Sequence, residues 1–275
     1  MDLTEIIKNA FIFPSKNLET LSIYAILSLL SAAFIVEGIV TCIFGIFDIV
    51  NLVIGIICII IAIIIGLITR RISIQCIKSG IDLEEKLPDF NWFQSFGAGF
   101  SKVIITIFYF LIPALIVVFI GFITNIYGNI IGFCQEITTQ VPATLIMGGS
   151  ISVIDAIYSA ALPLLISLVI TISAAIIIFL IFSFFQAMGE ARLANTGSLK
   201  SALNIYGAAK DIKRIGVGKV ILLSILIFVI VTIIEIVLTI IFDHLLVLSI
   251  LNIVITPYLA LFGQRALGLL YSDIV

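Results

Sequence analysis

IVNLVIGIICIIIAIIIGLIT, residues 49–69, runs 21 residues without a charge and stops at Arg70-Arg71. A helix needs about 20 apolar residues to cross the hydrocarbon layer of a membrane. Working outward, Asp48 and Asn51 mark a tight turn, and residues 21–44 form a second such run, interrupted once by Glu37. Further along come 103–123, which starts directly after Lys102, then 159–187, 220–242 and 245–262. Six spans are predicted, and the first reads as a retained span rather than a cleavable leader. Composition agrees: 62% of the 275 residues are hydrophobic and only 11% are charged. Water cannot solvate that much Ile, Leu, Val and Phe on a soluble fold of this length.

The charges order the spans. All 14 Lys and Arg residues fall in the N-terminal arm, the two even-numbered connections or the tail. The opposite face carries Asp48, Glu136, Asp155 and Asp243, with no basic residue. Basic connections stay on the cytoplasmic side. The expectation is therefore a multi-pass protein of the cell membrane with both termini cytoplasmic. The net charge of −2 argues against nucleic acid. The heavy use of Ile is compatible with a prokaryotic source.

An amphipathic segment introduces each pair of spans. In the first arm, Leu3, Ile6, Ile7, Ala10 and Phe11 oppose Thr4, Glu5, Lys8 and Asn9. Phe90, Trp92, Phe93, Phe96 and Phe100 share a face before the third span. Leu199, Ala202, Leu203, Ile205 and Tyr206 oppose Lys200, Ser201 and Asn204 before the fifth. Such helices lie in the interface with the apolar face in the acyl boundary. The predicted fold is an all-α, six-span membrane helical bundle with cytoplasmic in-plane helices. It forms a single membrane domain, with three hairpin units near 1–80, 81–197 and 198–275. Gly55, Ala62 and Gly66 share one face of the second span, and Ser167, Thr171 and Ala174 one face of the fourth; small residues at that spacing let helices pack closely.

The segment Leu87-Pro88-Asp89-Phe90, with Trp92, Phe96-Gly97-Ala98-Gly99-Phe100, Ile104, Tyr109 and Ile112-Pro113, resembles the archaeal and bacterial membrane proteins grouped as domain of unknown function 4013. Glu190-Ala191-Arg192-Leu193-Ala194 and Gly268 before Tyr271 fit the same pattern. The resemblance implies a six-span architecture and a prokaryotic origin. It implies no activity and no site residues.

Glu37 and Glu235 are ionisable groups within spans, which raises a functional hypothesis. As a pair they could bind a cation or a proton; the simpler reading is two acids hydrated near the outer headgroups. His244 stands beside Asp243 in an external turn and cannot complete a metal site alone. A Ser150–His244 dyad would need a hydrogen-bond contact that nothing in the sequence forces. Gly218-Lys219 fails as a phosphate loop, because Val220 replaces the required Ser or Thr. The outer connection, 124–158, is too apolar for free coil and is expected to form an interfacial or re-entrant helix.

The expected function is non-enzymatic, without cofactor or metal. The protein organises membrane lipids, or other membrane proteins, through its basic and aromatic inner face. Trp92, Phe93, Phe96 and Phe100 supply apolar contact there, and Lys200, Lys210, Lys213 and Arg214 supply charge. The alternative is an ion or small-solute transporter using Glu37 and Glu235. An intramembrane enzyme is the remote third class.

Overall fold

The computed structural model describes residues 1–46, 48–86, 95–147, 150–242 and 246–275. Every element in them is helical. The chain runs α1 (Leu3–Lys16), α2 (Leu18–Phe44), α3 (Ile49–Ile81), α4 (Ser95–Ile123), α5 (Ile126–Met147), α6 (Ser150–Thr196), α7 (Leu199–Ala202), α8 (Ile205–Ile215), α9 (Val217–Phe242) and α10 (Leu246–Tyr271). Six of these, α2, α3, α4, α6, α9 and α10, are long and apolar enough to span a membrane. The protein is an all-α, polytopic membrane protein.

The spans sit where the sequence places them, but they do not stop where the charges begin. Arg70 and Arg71 were expected to end the second span, yet α3 continues to Ile81 with Arg71 buried on it. Likewise α6 passes Glu190 and Arg192, and α10 passes Arg265. Lys102 lies inside α4 and does not precede it. At 1.5 Å per residue, the 47-residue α6 is roughly 70 Å long against a hydrocarbon layer of about 30 Å. These helices must project beyond the membrane.

Two compact units divide the chain. The first comprises Met1–Thr106 and Phe185–Val275. In it, α2 and α3 form a hairpin that touches backbone to backbone. A Cβ on Gly55 would meet Cys42 N at 2.8 Å and Gly38 O at 2.9 Å. Ser31 Oγ donates to Ala62 O at 3.1 Å on the same seam. The Asp48 side chain caps α3 by accepting from Val50 N. Beyond the apolar run, α3 packs on α10 at Gly80 and Gly268, where an added Cβ on Gly268 would fall 2.2 Å from Ile77 O.

Burial is concentrated at the basic ends. Only 11% of the most apolar stretch of α2 or α9 is covered by protein, against 50% for the end of α10. Between Ile68 and Ile81, most of α3 is buried. Phe13, Leu21, Ile68, Ile72, Cys76 and Leu261 belong to one core cluster there. Lipid is as apolar as Leu, so helices gain little by burying such side chains at depth. Where water reaches the helix ends, each buried Ile or Leu contributes about 1.5–3 kcal/mol. The distribution follows from that difference.

The predicted in-plane helices need three corrections. Ile6 and Ala10 of α1 are fully buried by protein, and Phe11 meets Tyr258 and Phe262 of α10 edge-on. The face expected in the acyl boundary is thus partly a protein contact. Phe96 and Phe100 belong to the first turns of the spanning helix α4, both exposed. The third segment is broken in two: α7 ends at Ala202, and Asn204 caps α8 by accepting from Gly207 N at 3.0 Å. Protein leaves Tyr206 81% exposed. Gly216, at φ +103°, separates α8 from α9, a conformation that favours glycine.

The second unit is Ile107–Phe184. The connection expected to fold does so, as the 22-residue α5. Ser167 and Thr171, expected as small packing residues, are buried, and they carry a polar seam as well. Asn129 Nδ2 donates to Ser167 Oγ at 3.1 Å and to Pro163 O at 3.2 Å. The Thr124 and Thr171 hydroxyls lie 2.9 Å apart.

Candidate functional site: a buried ionic layer

Among the described residues of the first unit, Arg71, Ser73, Ser79, Lys102, Glu190, Asp211, Arg265 and Tyr271 are buried side chains with charged or hydroxyl groups. All lie on the helix projections or on α8. Charge out of water is costly unless paired and hydrogen-bonded, so the pairing defines the site.

Lys102 of α4 reaches Glu190 of α6, with Nζ 3.1 Å from Oε2. Gln186 Nε2, one turn before Glu190, donates to its Oε1 at 3.0 Å and to Thr106 Oγ1 at 3.3 Å. Arg192 then holds α8. Its Nη1 donates to Asp211 Oδ2 at 2.8 Å, and its Nε donates to Ser201 O at 3.0 Å. Tyr271, at the end of α10, donates its hydroxyl to the same Asp211 oxygen at 2.9 Å. Gly207 makes room, since a Cβ there would lie 2.6 Å from Arg192 Nη1.

This anchorage sets the direction in which α8 faces. Gly207, Ala208 and Asp211 are covered. Tyr206, Lys210, Lys213 and Arg214 are exposed on the other side, and Lys200 is exposed on α7. Lys210, Lys213 and Arg214 stand at i, i+3 and i+4 and so share one face. Lys219, near the start of α9, donates to Asp273 and to Met1 O.

Arg265 is held differently. It is 5% exposed, its Nη1 donates to Ser79 Oγ at 2.9 Å, and its guanidinium carbon sits 4.2 Å over the Phe13 ring. Among the described residues its Nε has no hydrogen-bond partner, nor has the buried Gln264 Oε1 beside it. Arg265 and Phe13 line a cavity of about 380 Å³ between α1, α10 and the segment after α3. A second cavity, about 700 Å³, is lined by Arg71, Lys78, Ser101 and Asn195 among others.

The remaining expected sites are placed less favourably. Glu37 and Glu235 are both exposed on their helices, and neither lines either cavity. Thr41 Oγ1 lies 3.5 Å from Glu37 Oε1, and Thr239 Oγ1 donates to Glu235 O. Trp92, Phe93, Asp243 and His244 lie outside the described residues, as does the side chain of Ser150. Among the described residues no group of three His, Cys, Asp or Glu could hold a metal.

The ionic layer escaped sequence reading because Lys and Arg there were counted for sidedness alone. A usable signal was present: Glu190 and Asp211 are acids on the basic side, set among small residues within helical runs.

Residues 54–242 match the family described as protein of unknown function (DUF4013), and the chain belongs to that family. No curated protein and no solved structure matches it.

Proposed function

We propose that this member of the DUF4013 family is a non-catalytic membrane protein that gathers anionic lipid around the basic ends of its spans, on the cytoplasmic side. The observation that carries the reading is the fixed direction of α8. Arg192, Asp211 and Tyr271 pin one side of the helix, leaving Lys210, Lys213 and Arg214 outward on the other. A helix with such a basic face, joined to a span by one glycine, is suited to the headgroup layer. Each basic residue near an anionic surface contributes about 1 kcal/mol, and salt screens it.

The test uses the full chain in bilayers containing spin-labelled phosphatidylglycerol or spin-labelled phosphatidylcholine. The immobilised fraction should favour phosphatidylglycerol, and the preference should fall in high salt. Lys210→Glu, Lys213→Glu and Arg214→Glu together should abolish it. Equal immobilisation of both lipids by the native chain would end this reading.

A further inference from the structure

Arg265 is held differently from Lys102 and Arg192. Lys102 and Arg192 each face a carboxylate. Among the described residues Arg265 has none within ion-pair distance; it has one hydroxyl and one aromatic face. A guanidinium offers five donors in a rigid fork, matched to carboxylate or phosphate. Burying it with one hydrogen bond and an orphaned Nε is costly, and an anion would offset that cost.

The cavity supplies the place. Arg265 lines it, and the stacked Phe13 holds the fork in position. Asn9 and Lys16 of α1 line it too, together with Glu5 and Glu85. Both acids are exposed, Glu85 bridging Lys16 at 3.2 Å. The lining therefore carries a buried guanidinium and a mixed rim: Glu85 is bridged to Lys16, the Met1 ammonium to Asp273, and Glu5 is the exposed acid facing the opening. A zwitterion with its anion deep and its ammonium outward matches the buried guanidinium and the exposed carboxylate of Glu5. Ile12 and Leu83 line the same opening, 40% and 58% exposed, so apolar surface continues outward from the polar pocket.

We infer that this cavity binds a phosphate carrying a primary ammonium, the phosphoethanolamine group, with the phosphate on Arg265 and the ammonium at Glu5. The site is separate from the basic face of α8. The group can come from a lipid headgroup or from a water-borne phosphoethanolamine.

The experiment measures retention of phosphatidylethanolamine, phosphatidylcholine and phosphatidylglycerol by the full chain in neutral detergent, using native mass spectrometry and thermal shift. Phosphatidylethanolamine should be retained most strongly. Arg265→Lys keeps the charge and loses the fork, and should weaken retention by about tenfold or more. Glu5→Gln changes only an exposed side chain and should erase the preference over phosphatidylglycerol. If Arg265→Lys does not fold, this variant decides alone. A response to free phosphoethanolamine and to no lipid would keep the site and make its ligand water-borne. Equal retention of the three lipids without a response to free phosphoethanolamine, or a response to free alanine but not to phosphoethanolamine, would overturn the assignment. The triple α8 reversal should leave this binding unchanged, so the two readings fail separately.

Discussion

Lys102 and Glu190 face each other at 3.1 Å across two different helices, with side chains only 11% and 7% exposed. A buried pair of this kind adds little over a well-packed apolar pair, but breaking it leaves a stranded charge. Glu190→Gln should therefore destabilise the first unit by about 3–5 kcal/mol. Replacing both residues, Lys102→Met with Glu190→Leu, should cost much less. Denaturant unfolding in detergent of the two singles and the double measures the coupling; additive losses would mean the pair does not act as one.

Asp211 takes hydrogen bonds from both Arg192 and Tyr271. Asp211→Asn should release α8 while leaving the spans in place. Hydrogen exchange in residues 205–215 should accelerate by about 100-fold, corresponding to about 3 kcal/mol of lost anchorage. Unchanged exchange there would show that α8 is held by other means.

Gly268 and Gly97 should respond oppositely to the same change. A Cβ on Gly268 would clash with Ile77 O at 2.2 Å and Gly80 Cα at 2.9 Å, whereas one on Gly97 meets nothing within 4 Å. Gly268→Ala should cost about 1–3 kcal/mol by forcing α3 and α10 apart. Gly97→Ala should be neutral or stabilising by up to about 1 kcal/mol. Thermal unfolding of both variants reads the contrast.

Sidedness is open to thiol labelling. Cys134 is exposed, but Cys76 is fully buried and would be spared on either side of the membrane. Thr4, exposed on α1, is a better inner reporter. An impermeant reagent applied to intact cells should label Cys134. Thr4→Cys in a Cys134→Ser background should react only after permeabilisation. Labelling of the Thr4 variant in intact cells would reverse the topology.

Glu37→Gln and Glu235→Gln should each change stability by less than about 0.5 kcal/mol, and their effects should add. Both side chains are exposed and border neither cavity of the ionic layer. Strong coupling, together with loss of a pH- or Na⁺-dependent flux in proteoliposomes, would instead restore the shared-cation reading.

The sequence predicts the spans well because a run of 20 apolar residues has few other solutions. The ends of α2, α4 and α9 away from the basic residues fall at the predicted Phe44, Ile123 and Phe242. The ends that carry Lys and Arg do not, since a charge is no limit to a helix. Arg71 shows why: a helix carries a charged residue onward when protein covers it. Which carboxylate meets Lys102 or Arg192 depends on how distant helices pack, and periodicity along one helix does not contain that. The break at Leu203 and Asn204 is a local matter: Asn204 caps a new helix, so the face of α7 does not continue through α8.

The contact of α1 with α10 joins a helix that starts at Leu3 to one that starts at Leu246. During synthesis at about 5–20 residues per second, the partner for Ile6 and Ala10 emerges on the order of 10–50 s after they do. Through that interval the arm must rest elsewhere, and the nearest apolar surface is the bilayer itself. Closure of the N-terminal arm onto α10 is thus a late step of assembly. A ribosome stalled before Leu246 would leave the arm undocked, with the cavity beside Arg265 unformed.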